Sequence, residues 1–299
     1  MIINTNLPDI MHQGKVRDTY AVDDETLLMV ATDRISAFDV ILPAGIPRKG
    51  QILNRISAFW FEKTKDIVPN HFLCLADSPD LKSNFGDNPL LTTLPSEIAR
   101  QAMIVKRAER IDIECIVRGY ITGQAWLEYQ RNGTVWGLSM PSGMLEGTPF
   151  PEPLFTPTNK AEEGHDVNIT QDQVEDIVGK ELAKELEVVS KQIYSFAEQH
   201  SRQRGIILAD TKLEFGFLDG KLILIDELIT PDSSRFWNAE GYSPGKSQPN
   251  YDKQFVRDYL SGQGWNQKPP APQLPKDVIE KTTQRYTEAY KLLTGESIS

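Results

Sequence analysis

The sequence predicts an α+β fold, with a β-rich N-terminal lobe and an α+β C-terminal lobe on either side of a cleft. Residues 14–42 consist of short strand-like segments separated by turn residues. Residues 102–120 form two further strand patterns around a polar break. The longest amphipathic helical pattern begins only at Thr170. The predicted lobes are residues 1–106 and 107–299.

The composition is that of an ordinary globular protein and excludes several classes of function. Of the 299 residues, 39% are hydrophobic and 25% are charged, which is too apolar for a disordered chain. The net charge of −10 argues against non-specific binding to nucleic acid or anionic membranes, so we expect neither partner. A phosphorylated ligand would have to be held by local Lys or Arg side chains, backbone N–H groups or a metal.

The N-terminal segment, the apolar runs and the cysteines indicate a cytoplasmic protein. The first residues lack the basic segment and apolar stretch of a signal peptide. The longest apolar runs fall short of the ~20 residues that a membrane-spanning helix needs. Cys74 and Cys115 have neither the spacing of a zinc site nor that of a disulfide framework.

The remaining elements follow from apolar periodicity and turn residues. Residues 51–65 are predicted to be helical because Ile52, Ile56, Phe59 and Trp60 fall on one face. A short helix is expected to stop at Gly133, and residues 137–168, rich in Pro and Gly, are predicted to form a long functional loop. A capping box of Thr170 and Gln173 opens one long helix that ends at Gly205, and two helices follow at residues 253–260 and 277–293.

The segment that follows Gly205 places charges among its most hydrophobic strands. Asp210, Lys212 and Glu214 alternate with uncharged residues and therefore share one face of an extended chain. The alternative is the exposed face of an edge hairpin. The flanking apolar runs are instead typical of strands covered on both faces, where charges pair with one another or hold a cation. Carboxylate oxygens are the ligands that Mg²⁺ prefers.

The register of the following hairpin decides which acid joins this face. A two-residue loop at Asp219 and Gly220 pairs Glu214 with Ile225 and places Glu227 on that face. One further loop residue, or a bulge, would place Asp226 beside Glu214 and Lys212 instead. The spacing does not choose between these registers.

Other candidate residues are individually weak. The stretch "HQGKVRDTY" has one glycine before its charges, and no Walker or GxGxxG pattern occurs in the sequence, so an exposed hairpin explains it equally well. Arg118 and Arg235 are candidates for bidentate contacts to phosphate or carboxylate groups, although each alone also fits a structural salt bridge.

Several motifs together resemble the SAICAR synthetase family, in its longer form, over residues 14–258. They occur in the family's order and at about its spacing: "GKVRDTY", "ATDRISAFD", "RKG", "VKRAERIDIECIVRGYITG", "FTPTNKAEEGHD", "DTKLEFG" and "DELITPDSSRFW". The resemblance implies a two-lobed fold related to protein kinases and ATP-grasp enzymes, with ATP in the cleft. It also implies a monomer.

The implied activity is an ATP-dependent ligation in purine biosynthesis. L-aspartate would be joined to the carboxylate of carboxyaminoimidazole ribonucleotide (CAIR), through an acyl phosphate, to give SAICAR, ADP and phosphate. ATP and Mg²⁺ are the implied cofactors, and CAIR and L-aspartate the implied small-molecule partners.

The resemblance also assigns site residues. Glu214 and Asp226 match magnesium ligands, which implies the longer-loop register. Asp210, Lys212 and Lys15 match residues at the phosphates and the reacting carboxylate. The residues implied at ATP are Gly14, Lys15, Lys106, Arg107, Ala108, Glu114 and Asp210. The residues implied at CAIR are Arg34, Ser36, Arg118, Gln124, Asp232, Ser234 and Arg235, with Lys160, His165 and Asp166 in the same neighbourhood.

One position departs from the family pattern. Gln124 stands where the family commonly has a serine that helps to hold the CAIR phosphate. A glutamine amide can still donate to a phosphate oxygen, but its longer side chain must lie differently.

Two rival functions are disfavoured by the same sequence. A small-molecule kinase of related fold would need a catalytic Asp in an "HRD"-like context, and the sequence has none. A non-catalytic nucleotide-binding module would have lost its metal-binding acids, whereas Glu214 and Asp226 are both present.

Overall fold

Two antiparallel sheets, one in each half of the sequence, organise the chain. The computed structural model describes residues 1–159 and 167–298. The elements up to residue 106 are β1 (Ile10–Gln13), β2 (Arg17–Ala21), β3 (Thr26–Ala31), β4 (Arg34–Ala37), β5 (Val40–Gly45), α1 (Lys49–Thr64), β6 (Phe72–Leu75), α2 (Pro79–Phe85), α3 (Pro89–Thr92), α4 (Ser96–Ala99) and β7 (Ala102–Lys106).

The later elements alternate less regularly between strand and helix. They are β8 (Glu109–Tyr120), α5 (Gln124–Asn132), β9 (Thr134–Val135), β10 (Leu138–Ser139), β11 (Pro149–Phe155), β12 (Thr158–Asn159), β13 (Val167–Asn168), α6 (Gln171–Val178), α7 (Lys180–Arg202), β14 (Ile206–Leu218), β15 (Lys221–Ile225), β16 (Ser234–Asn238), α8 (Gln254–Gly262) and α9 (Lys276–Thr294). None of the helices in the described ranges combines the length and apolar character required to cross a bilayer.

The first sheet has the strand order β1-β2-β3-β7-β6 and is covered on both faces. Successive side chains of a strand point to opposite faces. Accordingly, Leu28 of β3 packs in a cluster with Ile98 of α4, while its neighbour Met29 packs with Ile52 of α1. This explains why β3 is almost continuously apolar rather than alternating.

The second sheet is built around β14. Its order is β13-β12-β8-β14-β15, with β11 also paired to β8 and β16 to β14. Leu213 and Phe215 of β14 are fully buried in the same apolar core as Ile52 and Trp60 of α1. The change of sheet falls between β7, which ends at Lys106, and β8, which begins at Glu109, and the hydrophobic core continues across it.

The helix predicted to run from Thr170 to Gly205 is divided in two. The capping box of Thr170 and Gln173 is present at the start of α6, as predicted. Gly179 then adopts φ 84° and ψ 155°, a conformation that essentially only glycine tolerates, and α7 starts afresh after it. The amphipathic stripe continues through the break, which is why periodicity alone does not reveal it.

The loop predicted for residues 137–168 was only partly correct. Its described residues include β10, β11, β12 and β13. In β11, Leu154 and Phe155 pair with Arg118 and Val117 of β8. The prolines of β11 disguise it as a loop, yet a strand with one neighbour tolerates proline. Lys160, His165 and Asp166 lie outside the described residues.

The hairpin of β14 and β15 adopts the shorter register, so the longer-loop register was wrong. Leu218 pairs with Lys221 and Glu214 with Ile225, closed by a two-residue loop. The loop residues Asp219 and Gly220 have φ of 52° and 71°, as the favoured two-residue hairpin turns require. Asp226 lies one residue beyond β15, with a left-handed φ of 65°.

Candidate active site

The charged face of β14 lies against a matching face of β8. In the register of the two strands, Asp210 faces Arg118 and Glu214 faces Glu114. Glu114, Arg118, Asp210 and Glu214 are each no more than 5% exposed. The alternative of a solvated edge hairpin is therefore wrong, because β14 is bordered by β8 and β15.

The acidic cluster is the group of Glu114, Glu214, Asp226, Glu227, Arg17 and Lys212. Nζ of Lys212 lies 2.5 Å from Oε1 of Glu114 and 3.1 Å from Oε1 of Glu214. Arg17, from β2, pairs with Asp226 and lies 3.1 Å from Oε2 of Glu227. Burial alone would lower the pKa of Lys212, but the neighbouring carboxylates of Glu214 and Glu114 outweigh it and raise that pKa.

Asp226 reaches this cluster because of its backbone conformation. Regular alternation from the observed register would send its side chain to the opposite face from Glu214. Its left-handed φ instead turns the carboxylate to Arg17, and its charge contributes to the raised pKa of Lys212. In the shorter register, Asp226 and Glu214 therefore both act on the charge of Lys212.

The charges of the acidic cluster suit a divalent cation. Four carboxylates and two cationic side chains leave a net charge of −2. Within residues 1–159 and 167–298, no three His, Cys, Asp or Glu side chains converge closely enough to hold a metal ion by themselves. A Mg²⁺ ion commonly takes only one or two carboxylates and completes its shell with water and substrate phosphates, so the donor set fits that ion.

The arginine cavity lies at the other end of the same face. It encloses about 480 Å³. Its lining residues are Ser36, Ala37, Phe38, Asp39, Arg118, Gly123, Gln124, Leu127, Arg235, Lys253, Gln254, Arg257 and Ser261. Four of these side chains are cationic and one is acidic, which makes the cavity a receptor for anions.

Asp210 holds two of the arginines in place. Its Oδ2 accepts from Nη1 of Arg118 at 2.9 Å and also from Nη1 of Arg235. Arg118 donates further from Nε to Thr156 at 3.0 Å, and its guanidinium lies 4.7 Å from the ring centroid of Trp136. Burial lowers the pKa of Arg118 to about 10, against the opposing effect of Asp210. Arg118 remains a cation at neutral pH.

Gly123 has a specific role beside Arg235. It precedes α5 with φ 57°, and a Cβ atom there would lie 2.6 Å from Nη2 of Arg235. Only glycine permits both the backbone conformation and this close approach. Gln124 follows it at the start of α5, exposed at the cavity wall.

Two predicted CAIR residues lie beside the cavity rather than in its lining. Oγ of Ser234 is hydrogen-bonded to Oγ1 of Thr211 at 2.8 Å. Asp232 is buried, 2.7 Å from Nζ of Lys49 and 3.3 Å from Nζ of Lys253. Burial would raise the pKa of Asp232, but the two lysines lower it. Asp232 therefore contacts the cavity through Lys253.

The glycine loop between β1 and β2 rests on Arg34. The N–H of Gly14 donates to the carbonyl of Arg17 at 2.7 Å. The buried guanidinium of Arg34 donates to the carbonyls of Lys15 and Gly14, both at 3.1 Å, and to Asp18 at 2.6 Å. Arg34 thus fixes the loop from below. Lys15 is half-exposed and pairs with Asp39 of the arginine cavity.

The segment predicted to bind adenine connects the two sheets. The N–H of Lys106 donates to the carbonyl of His71 at 2.7 Å, and that of Arg107 to Glu25 at 2.6 Å. Gly216 of β14 packs against the end of this segment, and a Cβ atom there would be 2.7 Å from the carbonyl oxygen of Glu109. The glycine therefore lets β14 approach this segment closely.

The sequence did not identify several residues of the acidic cluster and the arginine cavity as site residues. Lys253 and Arg257 are four residues apart at the start of α8, a spacing that places them on one helical face and gave a usable signal. Arg17 belongs to the stretch "HQGKVRDTY", whose charges fit an exposed hairpin equally well. His71 had no signal in the sequence, because a lone histidine without ligand spacing is more often a core residue.

Comparison with known proteins identifies the family. Residues 10–272 match the sequence model of SAICAR synthetase. A phosphoribosylaminoimidazole-succinocarboxamide synthase of Thermodesulfovibrio yellowstonii is 50% identical over 298 residues, covering 99% of both chains. Another from Desulfosudis oleivorans is 49% identical over 299 residues, with 99% of each chain covered.

Solved structures agree over the whole chain. A SAICAR synthase from Saccharomyces cerevisiae, complexed with SAICAR, is 41% identical with a TM-score of 0.88 and full coverage of both chains. A type-2 SAICAR synthetase in complex with ADP, 23% identical, shares the fold with a TM-score of 0.70 over 97% of this chain and 100% of its own. The chain therefore belongs to the SAICAR synthetase family, ligases of purine biosynthesis that act as phosphoribosylaminoimidazole-succinocarboxamide synthases.

Proposed function

We propose that the face shared by β8 and β14 carries the ATP-dependent ligation of L-aspartate to the carboxylate of CAIR. The acidic cluster would serve the ATP phosphates, and the arginine cavity would hold CAIR. The observation that carries this proposal is the position of the two groups on one strand. Asp210 and Glu214 are four residues apart, about 13 Å along an extended chain. ATP bound at the acidic cluster and CAIR bound in the arginine cavity would have to bridge this distance to bring a phosphoryl group and a carboxylate together.

The arginine cavity supports the binding of CAIR, which carries a phosphate and a carboxylate. Arg118 and Arg235 offer planar guanidinium groups, suited to bidentate contacts with such anions. Because Asp210 fixes both guanidiniums, little side-chain freedom is lost when the substrate binds. Lys253 and Arg257 add positive charge from α8.

We assign supporting roles to Arg34, Asp232 and Ser234. Arg34 positions the glycine loop, and Asp232 orients Lys253. Ser234 keeps β16 in register beside Arg235 through its bond to Thr211. Ser36 and Gln124 line the cavity, where both can donate hydrogen bonds to phosphate or carboxylate oxygens.

The acidic cluster supports the binding of ATP phosphates together with Mg²⁺ held by Glu214 and Asp226. When bound, that ion neutralises charge on the transferring phosphoryl group. Lys212 lies between Glu114 and Glu214 and would place its ammonium group beside the same phosphates. Lys15, at the exposed end of the glycine loop, would approach them from the opposite side.

The reaction requires three anions, ATP, CAIR and L-aspartate, to be brought together. A carboxylate resists attack by an amine because it is negatively charged and its oxygen is a poor leaving group. Transfer of the γ-phosphoryl group to the CAIR carboxylate would release ADP and give an acyl phosphate. The amine of aspartate would then attack the acyl carbon, phosphate would leave, and loss of a proton from the nitrogen would give the amide. The positive side chains of the chain hold the anions together, and positioning of this kind is the main source of catalysis in phosphoryl transfer.

The rest of the nucleotide would lie between the two sheets. Lys106, Arg107 and Ala108 form the connection between them, and their backbone would bind adenine. The N–H groups of Lys106 and Arg107 already have partners, so the carbonyl oxygens and the N–H of Ala108 are the groups that we assign to the base. We also propose a monomeric enzyme, as the resemblance to the longer form of the family implies.

The test is the substrate dependence of ADP release. The ligase should release ADP continuously only when CAIR and L-aspartate are both present, and SAICAR should form in equal amount. Continuous ADP release with CAIR and without aspartate would instead indicate a kinase or an ATPase, and would contradict the proposal.

A further inference from the structure

The backbone at Asp226 adopts a conformation that the hairpin does not impose. The strand β15 ends at Ile225, and Asp226 then takes a φ of 65°. This region is uncommon for residues with a Cβ atom, although Asp adopts it more readily than most. Something outside the hairpin must therefore stabilise it, since the same two-residue loop is compatible with a strand that simply continues.

His71 makes the contacts that stabilise this turn. Its Nε2 lies 3.2 Å from the carbonyl oxygen of Asp226, and because a carbonyl can only accept, the ring nitrogen donates. The backbone N–H of His71 also donates to the carbonyl of Leu224 at 3.0 Å. One residue thus holds two carbonyl groups, on either side of Ile225.

The ring of His71 is itself fixed. The residue is 3% exposed, and its ring packs edge-on against Phe61 with 5.2 Å between centroids. Its own carbonyl accepts from the N–H of Lys106 at 2.7 Å. His71 therefore connects the segment proposed to bind adenine with the acid proposed to bind the metal ion.

We propose that His71 is a positioning residue for the metal site. Its ring N–H holds the left-handed turn that directs the carboxylate of Asp226 to Arg17 in the acidic cluster. His71 contacts neither substrate nor metal, and its effect passes through the Asp226 backbone. The inference rests on the proposed function, because it assumes that Asp226 binds Mg²⁺.

The experiment compares variants that keep or remove the donor. In His71→Gln the amide nitrogen can occupy a position close to that of Nε2, whereas His71→Leu fills the space without a donor. The readouts are the Mg²⁺ concentration that gives half-maximal ADP formation and, without turnover, the affinity for Mn²⁺ with ADP measured by calorimetry. We expect His71→Leu to weaken both about tenfold or more, as is usual when a group supporting a metal ligand is lost. His71→Gln should recover most of the loss, and the KM for CAIR should not change.

A second histidine provides a matched control. His200 also places Nε2 near a backbone carbonyl, that of Leu293 at 3.1 Å, and also packs against aromatic rings. It lies on α7, outside both clusters. His200→Leu should leave the Mg²⁺ dependence unchanged. A change equal to that in His71→Leu would show that the effect is general loosening of the fold and would overturn the inference.

Asp226→Asn separates failure of the inference from failure of the proposed function. If Asp226→Asn raises the Mg²⁺ requirement and His71→Leu does not, the positioning role is wrong and the metal assignment stands. If neither variant changes it, the metal assignment is wrong and the inference falls with it. Should His71→Leu not fold, His71→Asn replaces it, because the shorter amide cannot reach the Asp226 carbonyl. Equal Mg²⁺ dependence in the Asn and Gln variants would then contradict the inference.

Discussion

Lys212 shows how one side chain allows two like charges to face each other in a sheet. Glu114 and Glu214 are direct neighbours across β8 and β14, an arrangement that destabilises a sheet when it is not compensated. The ammonium group of Lys212 contacts both carboxylates. The cation shared between the two carboxylates offsets their repulsion, and the remaining acids leave the cluster with net negative charge.

Single residues mark the limit of prediction from the sequence. Alternation correctly placed Asp210, Lys212 and Glu214 on one face, because the period of a strand is fixed. It could not place Asp226, because one left-handed residue reverses the direction that alternation gives. The register that the family resemblance implied for Asp226 and Glu214 was wrong. Their pairing as metal ligands stays a prediction.

Replacing Arg235 by Ala should chiefly weaken CAIR binding. The change removes a charge-assisted donor from the cavity, while Asp210 keeps its bond to Arg118. Hydrogen bonds to charged groups contribute about 1.5–3 kcal/mol, so we expect the KM for CAIR to rise roughly 10- to 100-fold. The KM for ATP should change little. Steady-state kinetics with each substrate varied in turn provides the measurement.

Arg55→Ala is a suitable control for that variant. Arg55 pairs with Asp77 away from both clusters and is partly exposed. It should leave both KM values unchanged. A rise in the KM for ATP alone in Arg235→Ala would mean that the arginine cavity binds the nucleotide instead.

At the level of elements, glycine and proline account for most of the differences between prediction and structure. The apolar runs of β8 and β14 were found because strands covered on both faces are continuously hydrophobic. Gly179 divides a helix without interrupting its stripe, and the prolines of β11 hide a paired edge strand. In both cases neighbouring elements, which the local sequence does not encode, select the conformation.

The start of α8 depends on Asp252. Its two carboxylate oxygens accept from the N–H groups of Gln254 at 2.7 Å and Phe236 at 2.9 Å, so it joins α8 to β16. Burial raises the pKa of Asp252 to about 6, against the opposing effect of Arg257. The element that supplies Lys253 and Arg257 to the cavity is therefore anchored by a carboxyl group that titrates in the weakly acidic range.

Asp252 should make stability fall as the pH rises from about 4 to about 6. Between these pH values the folded state keeps a proton that Asp252 of the unfolded chain, with a pKa near 3.8, has released. The stabilisation from that proton is therefore complete below pH 3.8 and is lost as the pH rises through the pKa of the folded state. A shift of about two units corresponds to roughly 3 kcal/mol. Denaturant unfolding of the wild type and Asp252→Asn across this range measures it. The difference between the unfolding free energies of the two proteins should be smaller at low pH than at pH 7. A difference that stays constant with pH would contradict the assignment.

At the scale of the whole molecule, the two predicted lobes share one hydrophobic core. Met29, Ile52 and Trp60 from the first half pack with Leu213 and Phe215 from the second. The strand patterns and the polar break near residue 106 are visible in the sequence, and the division into lobes drawn from them stays a prediction. It could not reveal the shared core, since packing between distant segments leaves no local pattern.

A shared core should make the chain unfold in a single transition. Separate domains would give two transitions, one for each sheet. We expect calorimetry to give one peak with equal calorimetric and van't Hoff enthalpies, and native-state hydrogen exchange to give similar opening free energies for amides of β3 and β14. Markedly lower protection across the whole first sheet would show that the halves unfold independently.

The C-terminal helix α9 is connected to the arginine cavity through Asp232. The hydroxyl of Tyr286 donates to Oδ1 of Asp232 at 2.7 Å, and Asp232 in turn pairs with Lys253 at the cavity wall. Deleting α9 would therefore weaken the binding of an anionic substrate without changing any residue that would contact it. In engineering this enzyme, α9 should therefore be kept, because Tyr286 supports the wall of the arginine cavity through Asp232.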